Sequence, residues 1–558
     1  MRLLIAVLLL VSSSAPAADL YPVRDVRPGM RGWGLTWTRG PEPIRFEAEV
    51  VGVMEGFIPG VPTVLTRLSH PDLDHAGVFA GMSGSPVYIG DRLLGAVAYT
   101  WSFLKEPLAG ITPAEAMKGD RTAAPAAGAL DASTLLGASW GEISGLLKGA
   151  LRPSLPEGAA LAPLAVQGGM PTLFEGLFAA MAMAPADHAP GPEPPPYPLE
   201  GGYPIGAALA WGDASFFASG TITFREGETL HAFGHPFLGV GEAAFPLVRA
   251  HPVAVLARAQ ISMRFSNPGT GAGALEWDGL TGIRGTLGRA VAEVPVAVSV
   301  NGKERRFSTV RHPLITGLMA ANGMASILQK ELGPGPFGTA SLTVTLHPMG
   351  GETLVFSEAF SGPSAMGDLV GAALLYPVVL GSNPYRQVLF DRIAYEVRHE
   401  AADRRERVTG AAVDKGVVKA GERIRLAVHT EDLQGRALTR TYDLAVPSGL
   451  LPETFSLVVG SGREIEEHLK KAQPLKPQSY DGLVRLLREP RAAADLVVLW
   501  KVQRPALMAD DRLYPAVNPD FASRLSGTRL PSTLVRVLLE TRTNPLEGTA
   551  EIKFKTRT

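Results

Sequence analysis

The residues best placed to do chemistry lie in the segment 77–103, GVFAGMSGSPVYIGDRLLGAVAYTWSF, at Gly81-Met82-Ser83-Gly84-Ser85-Pro86. A serine between glycines on a tight turn suits acyl transfer. Glycine reaches backbone angles closed to other residues, so the chain bends sharply and Oγ stands clear of it. The same bend lets the N–H groups of Gly81 and Ser83 converge on one point, as an oxyanion hole requires. A serine hydroxyl is a weak nucleophile until a base, usually histidine, takes its proton. The chain holds eleven histidines. His188, His399, His429 and His468 sit in ordinary contexts, whereas His235 stands in His231-Ala232-Phe233-Gly234-His235-Pro236-Phe237-Leu238-Gly239, directly after a hairpin at Gly220–Leu230. His231 lies four residues earlier, but no glutamate or third ligand accompanies the pair, so a zinc site is not expected.

This layout resembles the Gly-x-Ser-Gly-x-Pro segment of chymotrypsin-like serine peptidases, including the strand-turn-strand that follows it. It is still more similar to the SpoIVB-type peptidases, whose motif reads Gly-Met-Ser-Gly-Ser-Pro; all six residues match here. Gly77-Val78 before the motif and Leu93-Leu94-Gly95-Ala96-Val97 after it look similar too. The resemblance implies Ser83 as nucleophile. It also implies His235 as base, because the family carries its histidine in a Gly-His pair after a comparable strand. The order differs: the family runs His first, whereas Ser83 precedes His235 here. Catalytic triads are defined by geometry and occur in several chain orders. The resemblance spans roughly residues 20–115 and 200–350 and leaves the C-terminal 200 residues without a functional reading.

The third member of a triad orients the histidine. Asp72 and Asp74, in His70-Pro71-Asp72-Leu73-Asp74-His75, lie shortly before Ser83, though the family carries its acid at a somewhat longer interval, near Leu68 here. Asp278, in Trp277-Asp278-Gly279, follows His235 and suits a His-then-Asp order within one barrel. Asp213 is a further candidate, and an acid-free Ser–His dyad is the remaining alternative.

The elements that must position these residues read as mainly β. The chain has 62 Gly and 46 Pro, roughly a fifth of all residues and well above ordinary usage, which favours turn-rich β structure. Alternating patterns predict strands at Phe46–Met54, Thr63–Leu68, Leu93–Tyr99, Ile205–Leu209, Ala218–Phe224, Ala292–Val300 and Ala340–Leu346. Helical spacing appears at Trp140–Leu151, Pro171–Met183 and 366–380, and the Pro-rich stretch Ala184–Pro204 reads as an exposed linker. Pro28–Gly34 reads as a tight turn and Gly269–Gly273 as a flexible loop. Past 386, strands at Gln387–Val397, Arg423–Val428 and Thr439–Leu444 suggest a β-sandwich-like region, followed by helices at Glu464–Lys471 and Gly482–Leu487 and by strands at Leu496–Val502, Leu534–Thr541 and Thr549–Lys555.

The expected architecture is therefore mainly β with α insertions: a two-lobed chymotrypsin-like β-barrel core and a C-terminal β-sandwich-like region. Its parts are a signal peptide (1–17), a Ser-bearing lobe (18–115), a helical insertion and linker (116–204), a His-bearing lobe (205–350), a connector and sandwich-like domain (351–460) and a C-terminal α/β region (461–558).

The N-terminus, MRLLIAVLLLVSSSAPAA, carries Arg2, an apolar run from Leu3 to Val11 and Ala15-Pro16-Ala17, the pattern of a secretory signal peptide. Nine apolar residues are too few for a span that needs roughly 20. The absence of Cys excludes disulfides, thiolate metal sites, a lipoprotein anchor and a cysteine nucleophile. A net charge of −1 advertises no nucleic acid. Gly269-Thr270-Gly271-Ala272-Gly273 lacks the strand-to-helix context of a dinucleotide site, and no cofactor is expected. The expectation is an exported serine endopeptidase of the bacterial periplasm or exterior. It would act on a protein or peptide substrate, and its C-terminal region would meet that substrate or an envelope partner. The alternative is a non-catalytic envelope protein that keeps the scaffold for binding.

Overall fold

The computed structural model describes residues 19–39, 42–122, 160–161, 164–167, 183–186, 196–333, 338–447, 454–472, 477–502, 505–509, 512–515, 527–530 and 533–556. The signal peptide at 1–17 and the helix expected at Trp140–Leu151 lie outside them. So does the helix expected at Pro171–Met183, except for its last residue, which opens a short strand, Met183–Ala186.

The first lobe is a closed six-stranded barrel. Its strands are β1 (Arg31–Thr36), β2 (Ile44–Ile58), β3 (Val61–Ser69), β4 (Pro86–Ile89), β5 (Arg92–Thr100) and β6 (Leu108–Pro113). Alternation drives it: Phe46, Ala48 and Val50 of β2 point into the core while Glu47 faces water. The barrel closes because β4 pairs with both β1 and β5. Closure demands small residues on β1. A Cβ at Gly32 would stand 2.0 Å from the Tyr88 carbonyl oxygen, and one at Gly34 would stand 2.2 Å from the Phe46 ring. The turn expected over Pro28–Gly34 is thus confined to its first residues, and Arg31 to Gly34 are strand. A short helix, α1 (Pro71–Ala76), lies between β3 and the serine turn, and α2 (Ala114–Gly119) follows β6.

The second lobe curls from β7 (Pro204–Gly212), β8 (Phe216–Glu226), β9 (Thr229–Ala232), β10 (Gly241–Leu256), β11 (Met263–Gly279) and β12 (Gly282–Leu287). β7 contacts both β8 and β10, so the pairings return on themselves. The glycines at 269–273 lie inside β11, not in a flexible loop. Close packing holds two of them small: a Cβ at Gly269 would meet His251 Nε2 at 2.2 Å and one at Gly273 the Thr286 carbonyl oxygen at 2.2 Å, while Gly271 has open space.

The same sheet continues past residue 350 through β13 (Glu293–Val300), β14 (Lys303–Val310), β15 (Thr339–Pro348), β16 (Leu354–Ser361) and β17 (Phe390–Glu400), and with the short strands Leu164–Gln167 and Met183–Ala186 it has thirteen strands. β17 pairs with both β13 and β15, which joins 390–400 to the second lobe. Two helices cover this sheet, α3 (Ile315–Leu332) and α4 (Ala365–Gly381). α3 has no sequence-based counterpart; like α4, it is buried nearly all round and shows no amphipathic stripe. Gly323 lets it lie on the Phe307 ring, 2.3 Å from where a Cβ would be.

A small three-stranded sheet joins Ala506–Ala509, Arg512–Pro515 and Thr528–Leu530, and two larger sheets surround it in the chain. One centres on Arg423–Asp432 and the other on Thr454–Ser461. They share a core in which Ile424, Leu426 and Val428 meet Leu457, Val459 and Trp500. Helices α5 (Gly462–Ala472) and α6 (Tyr480–Arg488) complete this region, and Leu483 and Leu487 of α6 join the core of the second lobe.

Candidate active site

The serine turn lies where the two lobes meet. Gly81 and Gly84 both have φ of 94°, a conformation that L side chains avoid. A Cβ at Gly84 would lie 1.9 Å from the Thr221 carbonyl oxygen and 2.6 Å from the Phe233 nitrogen, so only glycine fits between the lobes. The turn closes on itself through Met82 N–H to Phe79 O at 3.0 Å and Ser85 N–H to Met82 O at 3.0 Å.

The second lobe holds the turn from the other side. Ala80 donates to Ser262 O and accepts from Arg264 N–H, both at 2.8 Å. Thr221 N–H donates to Ser83 O at 2.7 Å. The Thr221 and Thr223 hydroxyls donate to Gly81 O at 3.0 Å and Gly84 O at 2.8 Å. β8 presents both threonines on one face because they are two residues apart. Every carbonyl from Ala80 to Gly84 is occupied, that of Met82 by Ser85 N–H within the turn, while the N–H groups of Gly81 and Ser83 donate to nothing among the described residues. The expected oxyanion donors are thus the two N–H groups the turn leaves unused. Ser83 is fully buried, and its Oγ has no hydrogen-bond partner among the described residues, so no hydrogen bond joins it to His235.

His235 follows two residues in the left-handed region, Phe233 (φ 72°) and Gly234 (φ 73°). A positive φ is costly for a phenylalanine and is held by packing. The Phe233 ring fills the space beside Gly220, 2.5 Å from where a Cβ would lie. Gly234 packs on Ala96 and Ala98 of β5, the strand after the serine motif, and its carbonyl accepts from the Thr112 hydroxyl at 2.6 Å. Ser83 and His235 therefore flank the same strand, since Gly84 N–H donates to Val97 O at 2.7 Å on β5. His235 is fully buried, and its Nδ1 lies 2.7 Å from the Pro236 carbonyl oxygen. A carbonyl only accepts, so Nδ1 carries the proton and Nε2 is the basic nitrogen.

The four candidate acids fall in different places. Asp278, fully buried on β11, accepts from the N–H groups of Phe237 and Leu238 at 2.7 Å and of Val240 at 3.4 Å. It therefore fixes the loop that follows His235. Burial pushes its carboxyl up to about 6, against the lowering effect of those N–H groups. Asp72 accepts from the Thr38 hydroxyl at 2.7 Å and pairs with Arg39 at 3.1 Å, and Asp74 is exposed on α1. Asp213 accepts from Arg306 N–H at 2.8 Å, at the far end of β7.

Asp120 and Arg264 carry no sequence signal, whereas Tyr99 opens an aromatic run beside the serine motif. Asp120 is buried and accepts from the Thr281 N–H and hydroxyl, both at 2.8 Å. Tyr99, at the end of β5, places its ring 6.3 Å from that of His235, and burial pushes its hydroxyl well above the usual phenol range. Arg264 is wholly buried beside Gly81.

His231 stacks on Phe224 with ring centroids 4.3 Å apart, and burial lowers it to about 4, so it stays neutral at pH 7. Among the described residues no group of three His, Asp or Glu side chains is arranged to hold a metal ion. The end of the stretch read as an exposed linker is instead anchored: Tyr197 packs against Trp37, Tyr203 and His251, and its hydroxyl accepts from Ala250 N–H at 2.8 Å. Strand Ala160–Leu161 pairs with Tyr99–Thr100 and strand Leu164–Gln167 with Phe217–Ser219, so the insertion touches both lobes. No helix among the described residues is long and apolar enough to cross a membrane. No family model, no curated protein and no solved structure matches this chain.

Proposed function

We propose that this chain is an exported serine endopeptidase that works through an acyl-enzyme. One observation carries the reading: Ser83 sits on a turn whose Gly81 and Ser83 N–H groups are unused, beside a strand that also seats the His235 loop. On this reading Ser83 Oγ attacks the scissile carbonyl and its proton passes to His235 Nε2. The two N–H groups hold the oxyanion, and the proton then goes to the leaving amine. The Pro236 carbonyl takes the role of the orienting acid by fixing the Nδ1–H tautomer. Asp278 acts one step back, on the loop, which makes the site a dyad with a backbone orienter. The lobes correspond to chymotrypsin-like barrels with the Ser and His blocks in swapped order. The C-terminal sheets form a sandwich that meets substrate or an envelope partner, and the N-terminal signal directs the chain to the periplasm or beyond.

A second reading, a non-catalytic envelope binding protein, draws on a different observation: Ser83 and His235 are both fully buried and no hydrogen bond joins them. A fluorophosphonate separates the two. The peptidase reading expects covalent labelling of the full chain that Ser83→Ala abolishes. Wild-type protein that stays unlabelled refutes it.

A further inference from the structure

Arg264 is wholly buried, and no carboxylate pairs with it among the described residues. Its guanidinium donates only to backbone carbonyls, Trp37 O at 3.1 Å and Gly220 O at 2.8 Å, and its Nε has no acceptor among the described residues. A buried cation loses the solvation of water, and two carbonyl dipoles offset that only in part. Burial lowers it to about 10, so it keeps its charge at neutral pH.

The place of this charge is specific. A Cβ at Gly81 would lie 3.1 Å from Arg264 Nε, so the guanidinium lies directly against the Gly81 backbone. Gly220, which accepts from it, lies against the Ser83 carbonyl, and its neighbour Thr221 donates to that carbonyl. This buried cation thus borders the turn that carries the two unused N–H groups.

We propose that Arg264 is a positioning residue for acyl transfer: its charge, acting through the Gly81 backbone, readies the Gly81 and Ser83 N–H groups for an oxyanion. The inference rests on the serine-peptidase reading and deepens it. In the attack the bond from Ser83 Oγ to the carbonyl carbon forms, and the carbonyl π pair moves to oxygen. The hydroxyl proton passes to His235 Nε2. The negative charge exists only in that tetrahedral species, so a fixed positive charge in a dry site favours it over the neutral substrate.

The test measures labelling of the full chain by a fluorophosphonate, with the maximal rate kinact separated from the binding constant KI. In labelling, the Oγ–P bond forms, fluoride leaves and the serine proton goes to the base. Arg264→Gln and Arg264→Met remove the charge, and Arg264→Lys keeps it; thermal melts establish which variants fold, and any folded neutral variant decides. The expected result is a loss of about 100-fold in kinact, the scale of a lost oxyanion donor, with KI within about threefold of wild type. Lys should restore most of the rate. A folded neutral variant that labels at the wild-type kinact, or Lys and Gln variants that lose rate equally, overturns the proposal. A silent wild type, or labelling that survives Ser83→Ala, overturns the peptidase reading itself and is a separate result.

Discussion

Asp278→Asn isolates the group that holds the His235 loop. The carboxyl is fully buried and sits at about 6 in the folded protein, against 3.8 for the free side chain. Its folded form therefore binds a proton that the unfolded form releases between those two values. Stability from this group is fully present below about 4 and is lost as pH rises through about 6. The shift of about two units corresponds to about 3 kcal/mol, at roughly 1.4 kcal/mol per unit. The ionised carboxylate keeps its bonds to Phe237, Leu238 and Val240 N–H, so the loss appears as weaker burial and not as a broken loop. Asparagine stays neutral at every pH and removes the slope. Amide hydrogen exchange at Phe237 and Leu238, corrected for intrinsic rates and followed from pH 4 to 7.5, reads it locally. Wild type should lose protection across the window, by about two decades if these amides open with the unit that exposes Asp278. The variant should show no such trend. Equal pH dependence in the two proteins refutes the assignment of this buried carboxyl.

Two further predictions concern the same region. Gly84→Ala forces a left-handed alanine against the Thr221 carbonyl. Strain of about 1–2 kcal/mol and overpacking of about 1–3 kcal/mol should lower the first thermal transition by several degrees and abolish labelling at Ser83; unchanged melting contradicts the interlobe contact. His231 is held neutral, with its folded value near 4 below the free value of 6.5, so stability from it is present above about 6.5 and lost as pH falls toward 4. His231→Phe should keep the stack on Phe224, remove about 3 kcal/mol of acid sensitivity and leave labelling at neutral pH unchanged. Acid melts that match wild type refute it.

What could be read along the chain was local. Phe46–Met54, Thr63–Leu68 and Leu93–Tyr99 lie within β2, β3 and β5, because alternation with one buried face is a short-range pattern. The hairpin at Gly227 and the helices at 366–380 and 464–471 follow from turn chemistry and spacing in the same way. Gly269 and Gly273 look like loop residues along the chain because flexibility and close packing call for the same residue. Along the chain Asp278 looks like a turn acid, and only the loop folded over it shows what its carboxylate holds.

By itself the amino-acid sequence determined the strand-rich character and the tight glycine turn around Ser83, since turn glycines and their neighbours act within a few residues. It also excluded thiol chemistry, because there is no Cys. Only the tertiary structure decided that Ser83 and His235 flank one strand, that Thr221 and Thr223 hold the serine turn from the opposite lobe, and that a buried arginine lies against Gly81. Those contacts join residues about 140 to 180 positions apart. Their partners are backbone carbonyls and N–H groups, which every residue carries alike, so nothing in residue type marks them until the two lobes close on each other.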